Sequence, residues 1–158
     1  VPPASDDLTI WIDADGCPRA VKDLVFRASN RLRIAVVLVA DRPLAPNRSP
    51  LVSNRIVPRD PDSADKYIVG QIQPGDLVIT ADLPLAAEVV ERGATAMDPR
   101  GEHYTTENVR ARLSLRDFMM SLREAGQVLG GPAPFSGKDR QRFAAALDRF
   151  LTQRLKAD

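Results

Sequence analysis

The sequence predicts a three-layer α/β protein: a parallel sheet of about five strands, covered by helices on both faces and followed by a helical extension. Two observations carry this. Short apolar runs rich in β-branched residues alternate with segments of helical periodicity through Met97, the order expected of strand–helix–strand units with parallel strands. After Pro99 only helical periodicity remains.

The elements follow in order. Leu8 to Ile12 is a short buried strand that stops at Asp13. Pro18 suits the first turn of a helix, where its missing N–H is not needed, and Val21, Leu24, Val25, Ala28 and Leu32 recur at helical spacing. Ile34 to Ala40 is apolar throughout, as a strand covered on both faces should be. A proline-rich loop runs from Arg42 to Pro50, and Ile56-Val57 marks a third strand. Asp62 precedes a helix with Ala64, Ile68 and Ile72 on one side, closed by Pro74-Gly75. Leu77 to Ala81 is the fourth strand, Leu83 to Arg92 a helix ended by Gly93, and Ala94 to Met97 the fifth strand. Thr106 is expected to cap a helix to about Leu113, and Ser114 with Asp117 a second one to about Ala125. Gly130 to Pro134 reads as a hinge, and Ser136 opens a last helix with Phe143, Leu147, Phe150, Leu151 and Leu155 on its apolar face.

Composition narrows the class. A chain of 158 residues suits one domain, here residues 8–158 with 99–158 as its extension and 1–7 as a loose tail. With 44% hydrophobic and 27% charged residues, neither disorder nor a fibrous class is favoured. No apolar run approaches the ~20 residues of a membrane span, and the opening residues lack the basic-then-apolar order of a signal peptide, so a cytoplasmic location is expected. The single cysteine, Cys17, excludes an internal disulfide and any CxxC zinc site. Residues 1–99 carry 11 Lys/Arg against 14 Asp/Glu, and residues 100–158 carry 11 against 7. A metal site beside a phosphate-binding face would give that asymmetry, and so would ordinary solvated surface.

Several aspartates fall where strands of such a sheet end, which is where open α/β sheets bind ligands. Asp13 and Asp15 stand two apart after the first strand, so an extended backbone through Ala14 would point both carboxylates to one side. Asp15 also suits the cap of the following helix. Asp82 follows the fourth strand and Asp98 ends the fifth, while Asp62 and Asp65 open the helix after the third, as a cap and a dipole partner if not as ligands. Carboxylates held together repel unless a cation or proton lies between them, and their oxygens are the ligands that Mg²⁺ and Mn²⁺ prefer. Cys17 at a helix start and the lone His103 make a poor nucleophile and base, being far apart in the chain. Trp11 lies in a core period. Asp13-Ala14-Asp15-Gly16 after a strand also resembles the nucleophile motif of haloacid-dehalogenase-type phosphatases, and Val78-Ile79-Thr80 resembles their second motif. That reading then needs a later lysine and acidic pair, but the lysines after Thr80 are only Lys138 and Lys156.

Taken in order, IWIDADGCP, PDSADKYI, VITADLPLA, DPRGEHYT and LGGPAPFSGKDRQRF span nearly the whole chain and together resemble the YaiI/YqxD family of uncharacterised bacterial proteins. That family in turn resembles the PIN-like nucleases, whose parallel sheet gathers acids around Mg²⁺ or Mn²⁺ to cleave RNA. The resemblance implies a PIN-like fold and places Asp13, Asp65 and Asp82 in the catalytic, metal-holding positions, with Asp15 and Asp98 as further ligands. Arg59-Asp60-Pro61-Asp62 stands where a glycine is expected before the middle aspartates, which leaves open whether Asp62 or Asp65 reaches the site. The C-terminal helical extension also departs from typical PIN nucleases. Arg100, in its Pro-Arg-Gly turn, and Arg110, Arg112 and Arg116 are the candidates for contacting nucleic-acid phosphates. The expectation is a metal-dependent nuclease acting on RNA or a related nucleic acid, RNA ahead of DNA. The competing one is a module that binds nucleic acid or nucleotide without cutting it.

Overall fold

Alternation along the central strands divides the apolar residues between two cores, and that division sets the layers. The computed structural model describes residues 8–128, 130–131 and 133–156. Strands β1 (Thr9–Asp13), β2 (Ala35–Ala40), β3 (Val52–Ile56), β4 (Leu77–Ile79), β5 (Thr95–Met97) and β6 (His103–Tyr104) form one sheet in the order β3-β2-β1-β4-β5-β6. All pairs are parallel except β5 with β6, which is antiparallel. The helices are α1 (Arg19–Leu32), α2 (Ser63–Gln71), α3 (Leu83–Glu91), α4 (Thr106–Glu124) and α5 (Gly137–Lys156).

Ile10, Ile12, Val36, Leu38, Leu77 and Ile79 share one core with Val21 and Val25 of α1 and Phe143, Leu147 and Leu151 of α5. Trp11, Val39, Val78 and Ala96 share the other with Ile68, Leu85, Val89 and Val109 of α2, α3 and α4. Burial on both faces makes these strands read as unbroken apolar runs, and it yields the expected three layers. The C-terminal extension belongs to them: α5 supplies three buried residues to the first core.

Three expectations need correction. The third strand is Val52–Ile56, several residues earlier than Ile56-Val57, because an edge strand tolerates Ser53, Asn54 and Arg55 and shows no apolar run. The region after Pro99 is not helical alone: the two-residue β6 adds a sixth, antiparallel strand, too short to show periodicity. Residues 106–124 form one helix, not two. Its start is fixed by Thr105, whose Oγ accepts the Asn108 N–H at 3.1 Å while Asn108 Oδ1 accepts the Thr105 N–H at 2.7 Å. No glycine or proline interrupts it at Ser114, and Ser121 Oγ–H donates to the Asp117 carbonyl one turn back at 3.0 Å, an arrangement that keeps serine inside a helix. The expected tail, residues 1–7, lies outside the described residues, as does Pro132 of the expected hinge. Among the described residues no helix is long and apolar enough to cross a membrane.

The strand order reverses at β1: β2 and β3 lie on one side, β4 and β5 on the other. In such sheets the crevice opens outside the carboxyl ends of the two strands at the reversal, here β1 and β4.

Candidate functional site

Asp13 ends β1 with the same orientation as Trp11, toward α2 and α3. Beside it Thr80 extends β4 one residue past Ile79, and its buried Oγ–H donates to Asp13 Oδ2 at 2.9 Å. The same Oγ accepts the Asp82 backbone N–H at 3.0 Å. Asp82 then caps α3, its Oδ1 accepting the Leu85 N–H at 3.0 Å. Thr80 thus fixes one acid through its side chain and the next through its backbone.

The third acid comes from α2. Asp65, in the first turn, shares a side-chain hydrogen bond with Asp82 and is half-buried. Burial, then the charges of Asp82 and Asp13, raise its pKa to about 7. Asp13 is raised to about 6, first by burial and then by Asp82 and Asp15, against the lowering effect of the Thr80 hydrogen bond. Two carboxylates that hold protons toward the neutral range, first through burial and then through the acids facing them, carry a cost that a cation among them would relieve. As they stand, no three acid, histidine or cysteine side chains among the described residues are closed into a ligand set. Asp62, Asp65 and Asp82 line a cleft of about 360 Å³, and Arg116 of α4 reaches its rim. Between the two aspartates of the middle motif, it is Asp65 that meets Asp82. Asp62 is exposed at the N-cap position and makes no capping bond.

The other candidates are placed differently. Asp15 adds to the charge on Asp13, but the chain turns at Gly16 (φ 83°), and Asp15 Oδ2 accepts the Asp41 N–H at 3.3 Å beyond β2. Asp98 is not drawn into the cluster. Its Oδ1 accepts the N–H groups of Arg100 and Glu102 at 2.9 and 3.0 Å, closing the turn before β6. Burial raises its pKa, and those two backbone hydrogen bonds partly offset the rise. Arg100 is engaged within the fold, donating to Asp139 Oδ2 at 2.8 Å and to the Ala133 carbonyl at 2.6 Å. Arg112 is held by both oxygens of Glu102 at 2.8 Å. Arg110 lines a groove between α3 and α4 with Ala87 and Val90, apart from the acids. Of the four arginines, only Arg116 borders the carboxylate cleft.

Burial pushes the Cys17 thiol up to about 12, so the helix start does not activate it. His103 is exposed on β6. The phosphatase-like reading finds no lysine acting on Asp13, whose charged neighbours are Asp82 and Asp15.

Two buried acids escaped the sequence reading, and both are structural. Asp76, at the amino end of the sheet, accepts from the Thr9 N–H, Trp11 Nε1 and the Gln73 N–H at 3.0, 3.0 and 2.9 Å. Asp139 accepts from Arg100 and from the Ser136 N–H and hydroxyl, tying the start of α5 to the 98–102 turn. Thr80 did carry a signal: a hydroxyl at the end of an apolar strand, two residues before an aspartate.

Fold and site together define a doubly wound α/β protein with a carboxylate cluster at its switch point. The family model described as "Uncharacterized BCR, YaiI/YqxD family" matches residues 11–153, and the chain belongs to that family. It is 56% identical over 149 residues to a UPF0178 protein of Trichlorobacter lovleyi (94% of this chain, 97% of the relative). It is 58% identical over 149 residues to one of Geobacter metallireducens (94% and 96%) and 48% over 150 residues to one of Hahella chejuensis (95% and 100%).

Proposed function

We propose that the chain hydrolyses phosphodiester bonds of nucleic acid, RNA in preference to DNA, with Mg²⁺ or Mn²⁺ held by Asp13, Asp65 and Asp82. The observation that carries this reading is that three carboxylates from three separate elements face one another at the switch point, where burial first and their mutual charge second raise Asp13 and Asp65 to about 6 and 7. The donor set is all carboxylate oxygen, with neither sulfur nor imidazole, which fits a hard divalent cation. When bound, such an ion polarises a phosphoryl oxygen and makes hydroxide available at neutral pH.

The chain's own residues have distinct parts. Thr80 orients Asp13, and the first turn of α3 orients Asp82, so neither carboxylate needs to be ordered when substrate arrives. Asp65, which holds a proton up to about 7 among its acidic neighbours, would release it when the ion binds, so that its carboxylate joins the ligand set. Arg116 on the rim is placed for a phosphate beside the acids. The preference for RNA rests on the sequence resemblance to PIN-like nucleases.

The test is a panel of RNA, DNA and a small phosphate ester incubated with and without Mn²⁺. Asp13→Asn should abolish metal-stimulated cleavage, with an Asp13→Asn/Asp82→Asn double variant as the contamination control. Cleavage surviving in both would remove the cluster from the chemistry. Selective hydrolysis of the ester would favour a phosphatase.

A further inference from the structure

A second cleft, of about 470 Å³, opens between α1 and the loop joining β2 to β3. It is lined by Phe26, Arg27, Asn30, Asn47, Arg48 and Ser49, with Pro50 at its edge. The loop leads into the start of β3 and the Leu51 carbonyl accepts the Val36 N–H at the start of β2, so this is the amino end of the sheet, opposite the carboxylates. Its volume falls within the usual range for small-ligand sites.

The lining is chemically one-sided. Its only charged side chains are Arg27 and Arg48, whereas the carboxylate cleft sets three acids against Arg116 and the cleft beside α5 mixes Asp98, Glu102 and Asp139 with three arginines. Neither Arg27 nor Arg48 makes an ion pair among the described residues. Two side-chain acceptors of the loop are engaged locally: Asn47 Oδ1 accepts the Ser49 N–H at 2.8 Å, and Ser49 Oγ accepts the Leu51 N–H at 3.2 Å. The Asn47 amide N–H, the Ser49 hydroxyl proton and the two guanidinium forks are donors, and the Asn30 amide adds a donor with an acceptor. Two guanidinium groups bordering one hollow beside neutral donors form a set that a phosphate group accepts well. Phe26, half-buried against the first core, adds an aromatic wall.

We propose that this cleft binds the phosphate group of a small phosphorylated ligand, with Arg27 and Arg48 as its cations and Asn47 and Ser49 as neutral donors. The site is independent of the carboxylate cluster and of any reaction there.

The test is calorimetric titration of the whole chain with inorganic phosphate and with adenosine monophosphate, in EDTA and at constant ionic strength set by chloride. Saturable binding of at least one of the two is expected, weakened at least about tenfold in Arg27→Gln/Arg48→Gln. It should be unchanged in Arg31→Gln, one turn along α1 and outside the cleft, and in Asp13→Asn. A thermal melt of each variant confirms folding. The proposal is overturned by the absence of saturable binding, or by equal binding in the double variant. It is also overturned if a single-stranded oligonucleotide binds through the same arginines with far higher affinity, since the cleft would then be part of a polyanion track.

Discussion

Neutralising Asp13 should stabilise the protein at alkaline pH and do nothing at acid pH. In the folded chain the Asp13 carboxyl titrates at about 6 instead of the ordinary 3.8, so folding binds protons there between those values. A group raised in this way contributes stability that is complete below about pH 4 and is lost as pH rises through about 6. One pKa unit is worth about 1.4 kcal/mol, so this displacement sets an upper limit of about 3 kcal/mol. Residual solvent contact and salt reduce that to about 1–2 kcal/mol. Asp13→Asn removes the charge but keeps an oxygen to accept the Thr80 hydroxyl, so the geometry of β1 and β4 should survive. For a domain of this size the expected gain at pH 8 is about 3–6 °C in melting temperature, shrinking to nothing near pH 4. Thermal melts of the two proteins from pH 4 to 8, at fixed low salt and in EDTA, read the difference directly. A difference independent of pH, or a variant less stable at pH 8, would refute the claim that repulsion and burial at this carboxylate oppose folding.

Four further outcomes are expected. A divalent ion held by the cluster should raise the melting temperature, by about 2.7 kcal/mol in stability at 100 times Kd, with Mn²⁺ acting at lower concentration than Mg²⁺; Asp82→Asn should blunt the rise, and Asp148→Asn, on the exposed face of α5, should not. Thr80→Val leaves the Asp13 carboxylate and the Asp82 N–H without their shared partner and should destabilise by about 1–3 kcal/mol in denaturant titrations, while moving the Asp13 titration upward. Asp76→Leu orphans three donors at the far end of the sheet and should cost more than about 3 kcal/mol, with the ion response of the surviving folded fraction intact. Gly101→Ala should also destabilise markedly, because φ is 92° there and an added Cβ would lie 2.7 Å from the Arg142 carbonyl of α5; a melt within a degree of the wild type would show that the 98–102 turn does not pack on that helix as described.

How far the sequence disclosed this architecture depended on burial. β1, β2 and β4 are covered on both sides, so their apolar runs announced them, whereas β3 is an edge strand whose Ser53, Asn54 and Arg55 hide it and β6 has only two residues. The helical residues 106–124 looked divisible at Ser114 because the spacing of a capping box recurs there without any break in the backbone. Asp13 and Asp82 were legible as acids at strand ends. The choice between Asp62 and Asp65 was not, since it turns on which side of the first turn of α2 faces α3, a matter of tertiary packing. The arginines were least legible of all. Arg100 and Arg112 find partners 39 and 10 residues away, and nothing local in the sequence shows that their guanidinium groups are spent on contacts within the fold.

The acids of this chain supply their own internal comparison. Asp76 and Asp139 are buried, and each is met by several donors, so their presence is explained by the hydrogen bonds they satisfy. Asp98 closes a turn through two backbone N–H groups. Asp13 and Asp65 are treated differently: burial raises them as it raises Asp98, but the charges acting on each are negative, whereas Arg100 offsets the rise at Asp98. Thr80 offsets part of this at Asp13, and the opposition to Asp82 stays. An isosteric amide at either position would remove the repulsion and keep the hydrogen bonds. This contrast is what favours the proposed reading, in which a ligand bearing positive charge relieves the opposition of the three carboxylates.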